Sequence, residues 1–272
     1  MIMPSINGRT QVIVHLAWPS VHLRTPSFFN PRMTERGIDA VLVPWQVKPE
    51  ALSRVWDALR YCESVAGVIV TIPHKTSVAG LCDQLEGDAS LLNVANVARR
   101  HADGTFTGAM FDGEAYVAGL RQRGHEPRGK KVLLVGAGGA GTAIAFSLAR
   151  AGVAKLTISN RDKTKAENVA DQVRGVWPLV NITAGDNAPE GYDIVINATA
   201  LGLRAGDAMP FDPARLDPGA RAAEVVMNPS ETPVLKAAAS RGNPIHRGEH
   251  MITAQIDLLA DFILFGEVKK FS

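Results

Sequence analysis

The chain has 272 residues, of which 46% are hydrophobic and 21% charged, with a formal net charge of +2. That apolar content suffices for two medium cores, while so small a charge, without basic runs interleaved with aromatics, argues against nucleic-acid binding. The two cysteines, Cys62 and Cys82, lack a Cys-x-x-Cys or histidine partner at metal spacing, so buried reduced thiols, no bound metal and a cytoplasmic setting are expected.

In chain order, the apolar stretch 11–17 is too short and poorly flanked for a signal peptide and reads as a first strand over 12–16. Further strands are expected at 40–43 and 68–72. Between them, Leu52, Val55, Trp56 and Leu59 recur at helical spacing behind Pro49, which predicts a helix over 49–61 with these residues in the core. Residues 107–113 end a strand and open a helix, with Asp112 at the junction. Strands near 193–197 and 223–226, a helix over 233–241 and a largely apolar closing helix over 252–265 complete the pattern. The closing helix is expected to dock on another layer. Strands alternating with helices predict an α/β architecture with mainly parallel sheets. No run reaches the ~18 apolar residues of a membrane span.

Residues 132–161 carry the most specific signal. A strand at 132–135 leads into Gly136-Ala137-Gly138-Gly139-Ala140-Gly141, an alanine-rich helix and a second strand ending at Asn160-Arg161. Glycines at this spacing allow a tight turn, close approach of a pyrophosphate to the backbone, and packing of the helix on the sheet. A dinucleotide site follows. An NAD site would carry an acid about 20 residues on, accepting from the ribose hydroxyls, whereas a 2′-phosphate needs cations. Arg161 and Lys165 therefore favour NADP, with NAD the weaker alternative because of Asp162. A helix-start role for Asp162 accounts equally for that acid.

Hydride transfer between an alcohol carbon and a nicotinamide requires a group that moves the hydroxyl proton, commonly a lysine near an orienting acid. Lys75 follows the strand over 68–72, where side chains project from the carboxyl edge of a parallel sheet, and Asp112 opens a helix. Taken alone, Lys75 reads equally as an exposed lysine and Asp112 as a helix cap.

Several segments in order resemble the shikimate dehydrogenase family, including its quinate-using relatives. Residues 19–26 are similar to its Pro-x-x-His-Ser-x-Ser-Pro element, and Val70-Thr71-Ile72-Pro73-His74-Lys75 to its lysine motif. Asp112 lies in a Gly-x-Asn-Thr-Asp-Gly-like segment, Asn197-Ala198-Thr199 in an Asn-Ala-Thr-x-x-Gly-Met-like turn, and 248–255 in a Gly-x-x-Met-x-x-x-Gln-like close. The resemblance implies a substrate domain (1–111 and 245–272), a Rossmann NADP domain (112–244) and a cleft between them. Lys75 and Asp112 would be catalytic. Thr71, Asn96, Gln255, Thr25, Arg24 and His22 would contact a cyclic polyol carboxylate or related alcohol. Thr199, Val226, Gly248 and Met251 would join the glycine turn and Asn160 around the cofactor. A monomer or homodimer, with neither membrane nor nucleic acid as partner, is expected.

The departures all lie on one side of the pattern. Leu23 and Thr25 replace the two serines that grip the substrate carboxylate. Ile69 replaces an Asn, Met110-Phe111 an Asn-Thr, Val97 a Thr and Met227 a Tyr. Losing hydrogen bonds to a carboxylate costs roughly 1.5–3 kcal/mol each. Either Arg24 or His22 has taken over the carboxylate, or the substrate is less polar at that end. Methylenetetrahydrofolate dehydrogenase is a second enzyme reading, and a silent NADP-binding sensor or partner protein is the reading from another class.

Overall fold

The computed structural model describes residues 6–21 and 23–267. Two compact units divide the chain: one runs up to Phe111 and resumes at Gln255, and the other is Asp112–Ala254.

The first unit contains β1 (Gln11–Ala17), α1 (Thr25–Glu35), β2 (Ala40–Gln46), a 3₁₀ turn (Pro49–Ala51), α2 (Leu52–Arg60), β3 (Val65–Val70), α3 (Lys75–Leu81), β4 (Gln84–Leu85), α4 (Asp88–Leu92), β5 (Val97–Arg100) and β6 (Phe106–Ala109). Its sheet has the order β2-β1-β3-β5-β6-β4. Strands β2, β1 and β3 are mutually parallel, while β5 runs antiparallel to both β3 and β6. One consequence decides where chemistry can sit. The carboxyl ends of β1, β2, β3 and β6 and the amino end of β5 all lie along a single edge. Trp56 on α2 is fully buried, with its ring 4.4 Å from that of Phe106, as expected for a core residue.

Strand β3 stops at Val70, two residues before the expected end, because Thr71 N–H turns to Leu16 O and Pro73 has no N–H to offer a ladder. Cys62 and Cys82 are free, as expected, but half-buried rather than enclosed. Burial pushes the Cys82 thiol up to about 12, which makes it a poor nucleophile.

The second unit contains α5 (Asp112–Gln122), β7 (Lys131–Val135), α6 (Gly139–Arg150), β8 (Lys155–Ser159), α7 (Lys163–Val176), β9 (Asn181–Gly185), β10 (Ile194–Asn197), a 3₁₀ turn (Pro213–Arg215), β11 (Arg221–Glu224), α8 (Pro233–Ser240), β12 (Ile245–His246) and the start of α9 (Glu249–Phe265). Its wholly parallel sheet has the order β12-β11-β10-β7-β8-β9, which reverses direction at β7 beside β10. Ligands of doubly wound sheets bind at such a reversal, outside the carboxyl ends of the strands. Because β12 pairs with β11, residues 245–254 group with the second unit, not with the first as the sequence suggested.

From Gln255 onward α9 belongs to the first unit and packs on its sheet. A side chain on Gly67 of β3 would collide with Ile263, and the Phe262 ring lies edge-on to Phe111 at 5.4 Å. Arg32 and Arg36 of α1 hold Asp257 and Asp261 of the same helix. Among the described residues no helix is long and apolar enough to cross a membrane.

Candidate active site

In the first unit, main-chain hydrogen bonds place Thr71, Lys75 and Asn96 along the sheet edge. After β3, Thr71 N–H bonds Leu16 O, His74 N–H closes a turn onto Thr71 O, and Lys75 opens α3 half-buried. The His74 ring is buried and donates through Nε2 to Val47 O at 2.8 Å, which ties the lysine loop to the end of β2. Lys75 O accepts from Ala95 N–H at 3.1 Å, so the lysine backbone is fastened to the entry of β5.

Asn96, only 3% exposed, is the hub of this edge. Its carbonyl accepts from Val70 N–H, its N–H donates to Ala109 O, and its side-chain Oδ1 accepts from Phe111 N–H at 3.0 Å. The amide oxygen thus positions the backbone immediately before Asp112. Asp112 is buried and opens α5, in the turn whose unpaired N–H groups favour negative charge. Gln255, expected beside the substrate, is a buried residue of α9.

Four of the positions that depart from the expected motif, Ile69, Val97, Met110 and Phe111, are apolar and buried in the structure. Ile69 stands across from Val97 and Val97 across from Ala109, and all three are buried together with Met110 and Phe111. Leu23 is half-buried, with its N–H on Ser20 O. Thr25 is the first residue of α1. Arg24 is exposed, its guanidinium 5.8 Å from the Phe28 ring centroid. His22 lies outside the described residues.

In the second unit the glycine turn has the form a dinucleotide needs. Gly136 has φ +121°, a value that favours glycine, and packs on Ala198 and Thr199. A Cβ on Gly141 would overlap Gly136 O, so the helix must approach the turn without a side chain there. Gly138 and Gly139 differ: no atom lies within 4 Å of where their Cβ atoms would stand. That open space faces the N-terminus of α6, whose first turn carries no acid. These glycines leave a cradle that suits a pyrophosphate. Ala137 N–H donates to Asn160 Oδ1 at 3.2 Å, tying the turn to the end of β8.

Asp162 caps α7, accepting from Lys165 N–H at 3.4 Å. The acid that clouded the cofactor choice is therefore engaged by its own helix. Arg161 and Lys165 are exposed beside it, and among the described residues no carboxylate pairs with Arg161. Thr199 gives both its N–H and its hydroxyl to Asn197 Oδ1, stiffening the turn after β10. A Cβ on Gly248 would strike the carbonyls of Val225 and Val226, so glycine there permits close backbone contact. Met251 N–H bonds Gly248 O and the side chain is half-buried.

Models of the shikimate dehydrogenase substrate binding domain match residues 16–98, and of shikimate/quinate 5-dehydrogenase residues 120–203. The shikimate dehydrogenase (NADP(+)) of Rubrobacter xylanophilus is 35% identical over 262 residues, spanning 94% of this chain and 91% of its own. The chain belongs to the shikimate dehydrogenase family. Among solved structures, a shikimate dehydrogenase in complex with NADP+ superposes with TM-score 0.89 at 28% identity, covering 98% and 94% of the two chains. The 5-ketofructose reductase of Gluconobacter sp. strain CHM43 does so with TM-score 0.87 at 29% identity, covering 96% and 95%. Like its relatives in this family, the chain is an oxidoreductase.

Sequence reasoning passed over Glu224. It ends β11 in register with Asn197 and is wholly buried, with Thr232 Oγ1 donating to its Oε2 at 2.8 Å. A charged residue closing the short apolar stretch Ala222-Ala223 was the available signal. Burial raises its carboxyl from 4.5 to about 7. The folded chain holds this proton more tightly than the unfolded one. Stability from the group is therefore full below pH 4.5 and is lost as pH rises through about 7. The loss is about 3 kcal/mol at 1.36 kcal/mol per pKa unit. Glu224→Gln keeps an acceptor for Thr232 and stays neutral. Its melting temperature should exceed that of the parent at pH 8 and match it near pH 5. Parallel curves at both pH values would contradict this assignment.

Proposed function

We propose that the chain interconverts a secondary alcohol and its ketone, with weakened recognition of a substrate carboxylate. The cofactor is NADP. When bound, it supplies or accepts the hydride at its nicotinamide ring. The glycine turn and α6 hold its pyrophosphate, and Arg161 with Lys165 receives the 2′-phosphate. In the oxidative direction Lys75 takes the hydroxyl proton as the carbonyl forms, and in reduction it returns that proton to the oxygen. Asp112 accepts a hydrogen bond from the same hydroxyl and orients it. Thr71 and Gln255 bond the other hydroxyls, while Asn96 fixes the backbone that carries Asp112.

The observation that carries this reading is the contrast along one sheet edge. The lysine loop is fastened by Val47, Ala95 and Leu16, whereas Ile69, Val97, Met110 and Phe111 are buried among apolar neighbours. That contrast supports a retained proton-transfer group and a weakened carboxylate grip. A keto-sugar carries no carboxylate, and the similarity to a 5-ketofructose reductase favours a neutral polyhydroxy ketone as a second substrate reading. Shikimate or quinate would then be handled with reduced affinity.

Arg24 decides between takeover of the carboxylate and its loss. If the carboxylate grip is lost rather than taken over, Arg24→Ala should change KM for shikimate less than threefold, since a takeover bond would contribute roughly 1.5–3 kcal/mol. A rise of tenfold or more in steady-state kinetics would assign the carboxylate to Arg24.

A further inference from the structure

The cofactor turn lies at the carboxyl edge of the second sheet. At the opposite edge, where β7, β10 and β11 begin, a cavity of about 570 Å³ is lined by residues that include His125, Lys130, Lys131, Tyr192 and Arg221. That volume falls within the range of small-molecule sites. No group assigned above to catalysis or to the cofactor lines it.

Its acids are already engaged. Asp193 accepts from Lys131 N–H at 2.7 Å, Asp217 from Gly191 N–H at 2.9 Å, and Glu126 binds Arg121 and Arg128 N–H. Among the described residues no carboxylate pairs with Arg221, which is half-buried with its guanidinium 3.4 Å from Ile245 O. Lys130 and Lys131 are exposed, and Lys155 extends the positive rim, its ammonium 5.3 Å from the centroid of the Tyr192 ring.

Behind His125 the unmet polar groups continue inward. The His246 ring is 5.9 Å from that of His125 and only 1% exposed, with neither ring nitrogen hydrogen-bonded. Burial and the nearby Arg221 charge both depress the basicity of His125, which marks a positive field at this mouth. A partly desolvated guanidinium without a counter-ion is costly, and an oxyanion would relieve it with two parallel N–H···O bonds.

We propose that this cavity binds a small organic dianion, a phosphate ester or a dicarboxylate, with Arg221 as its principal ligand and Lys130 and Lys131 at its rim. Occupancy here is independent of the redox site. The probes are inorganic phosphate and malonate, titrated calorimetrically into protein saturated with NADP+ so that the glycine turn is filled. At least one should bind, and the one preferred identifies the source, ester or dicarboxylate. Arg221→Gln should weaken that binding at least tenfold with NADP+ affinity unchanged, and the exposed Lys130→Gln about twofold to threefold. The His125 ring proton resonances should move as the probe is added. Silence of both probes up to about 50 mM, binding unaltered in both variants, or His125 resonances that stay in place while heat is released would overturn the proposal.

Discussion

Alanine in place of Lys75 is expected to lower kcat by roughly 10²- to 10⁴-fold, the usual contribution of a positioned acid–base group, while the dissociation constant for NADP+ stays unchanged. The separation of effects follows from the architecture. Lys75 belongs to the first unit, whereas the residues proposed to hold the cofactor are carried by β7, β8 and β10 of the second. The main-chain bond through the Lys75 carbonyl and the bond from the His74 ring to Val47 O both remain in the variant. Lys75→Arg should be nearly as slow, because a guanidinium keeps the charge but does not give up a proton near neutral pH. Single-turnover rates beside a fluorescence titration of cofactor check both. A kcat within threefold of the parent in Lys75→Ala would remove the lysine from proton transfer.

The second large effect separates two glycines three residues apart. Gly141→Val is expected to disrupt the second unit, because its Cβ would overlap Gly136 O, a backbone atom of a turn already pressed on Ala198 and Thr199. Gly138→Val should fold normally, since no protein atom lies within 4 Å of the new Cβ. It should still bind NADP+ at least a hundredfold more weakly, because the side chain takes the space a pyrophosphate needs. Thermal melting and cofactor titration of the two variants give opposite patterns. Unimpaired NADP+ binding by Gly138→Val would show that the turn is not the phosphate cradle.

Much of this was legible from residue order. The turn at 136–141 reads as a dinucleotide turn in its strand–helix context, and the Arg161-Asp162-Lys163 sequence contained both the cation and the cap that the structure separates. What escaped had weak local signals. Strand β5 is four residues long and half Arg, so its antiparallel pairing with β3 is fixed by a partner remote in sequence, although β6 follows it after a short turn. Helix α1 carries Pro26 and Pro31 and buries only Phe29 and Met33, a pattern closer to a loop than to an amphipathic helix. The two residues of β12 are too few to announce a strand, and this moved the division of the chain from 245 to Gln255. Nor does composition reveal that Asn96 spends its side-chain oxygen on Phe111 N–H, because that bond spans two strands. Glu224 shows the same limit, since only the packed sheet makes its carboxylate a buried one.

The pairing of a retained proton-transfer group with an apolar carboxylate end is tested most directly by initial rates on shikimate, quinate and 5-ketofructose, each with NADP and NAD in the appropriate redox state. Turnover should be faster with NADP than with NAD, fall roughly 10²- to 10⁴-fold in Lys75→Ala, and show a higher kcat/KM for the substrate without a carboxylate than for either acid. A higher kcat/KM on shikimate, or no turnover on any of the three with NADP, would contradict it.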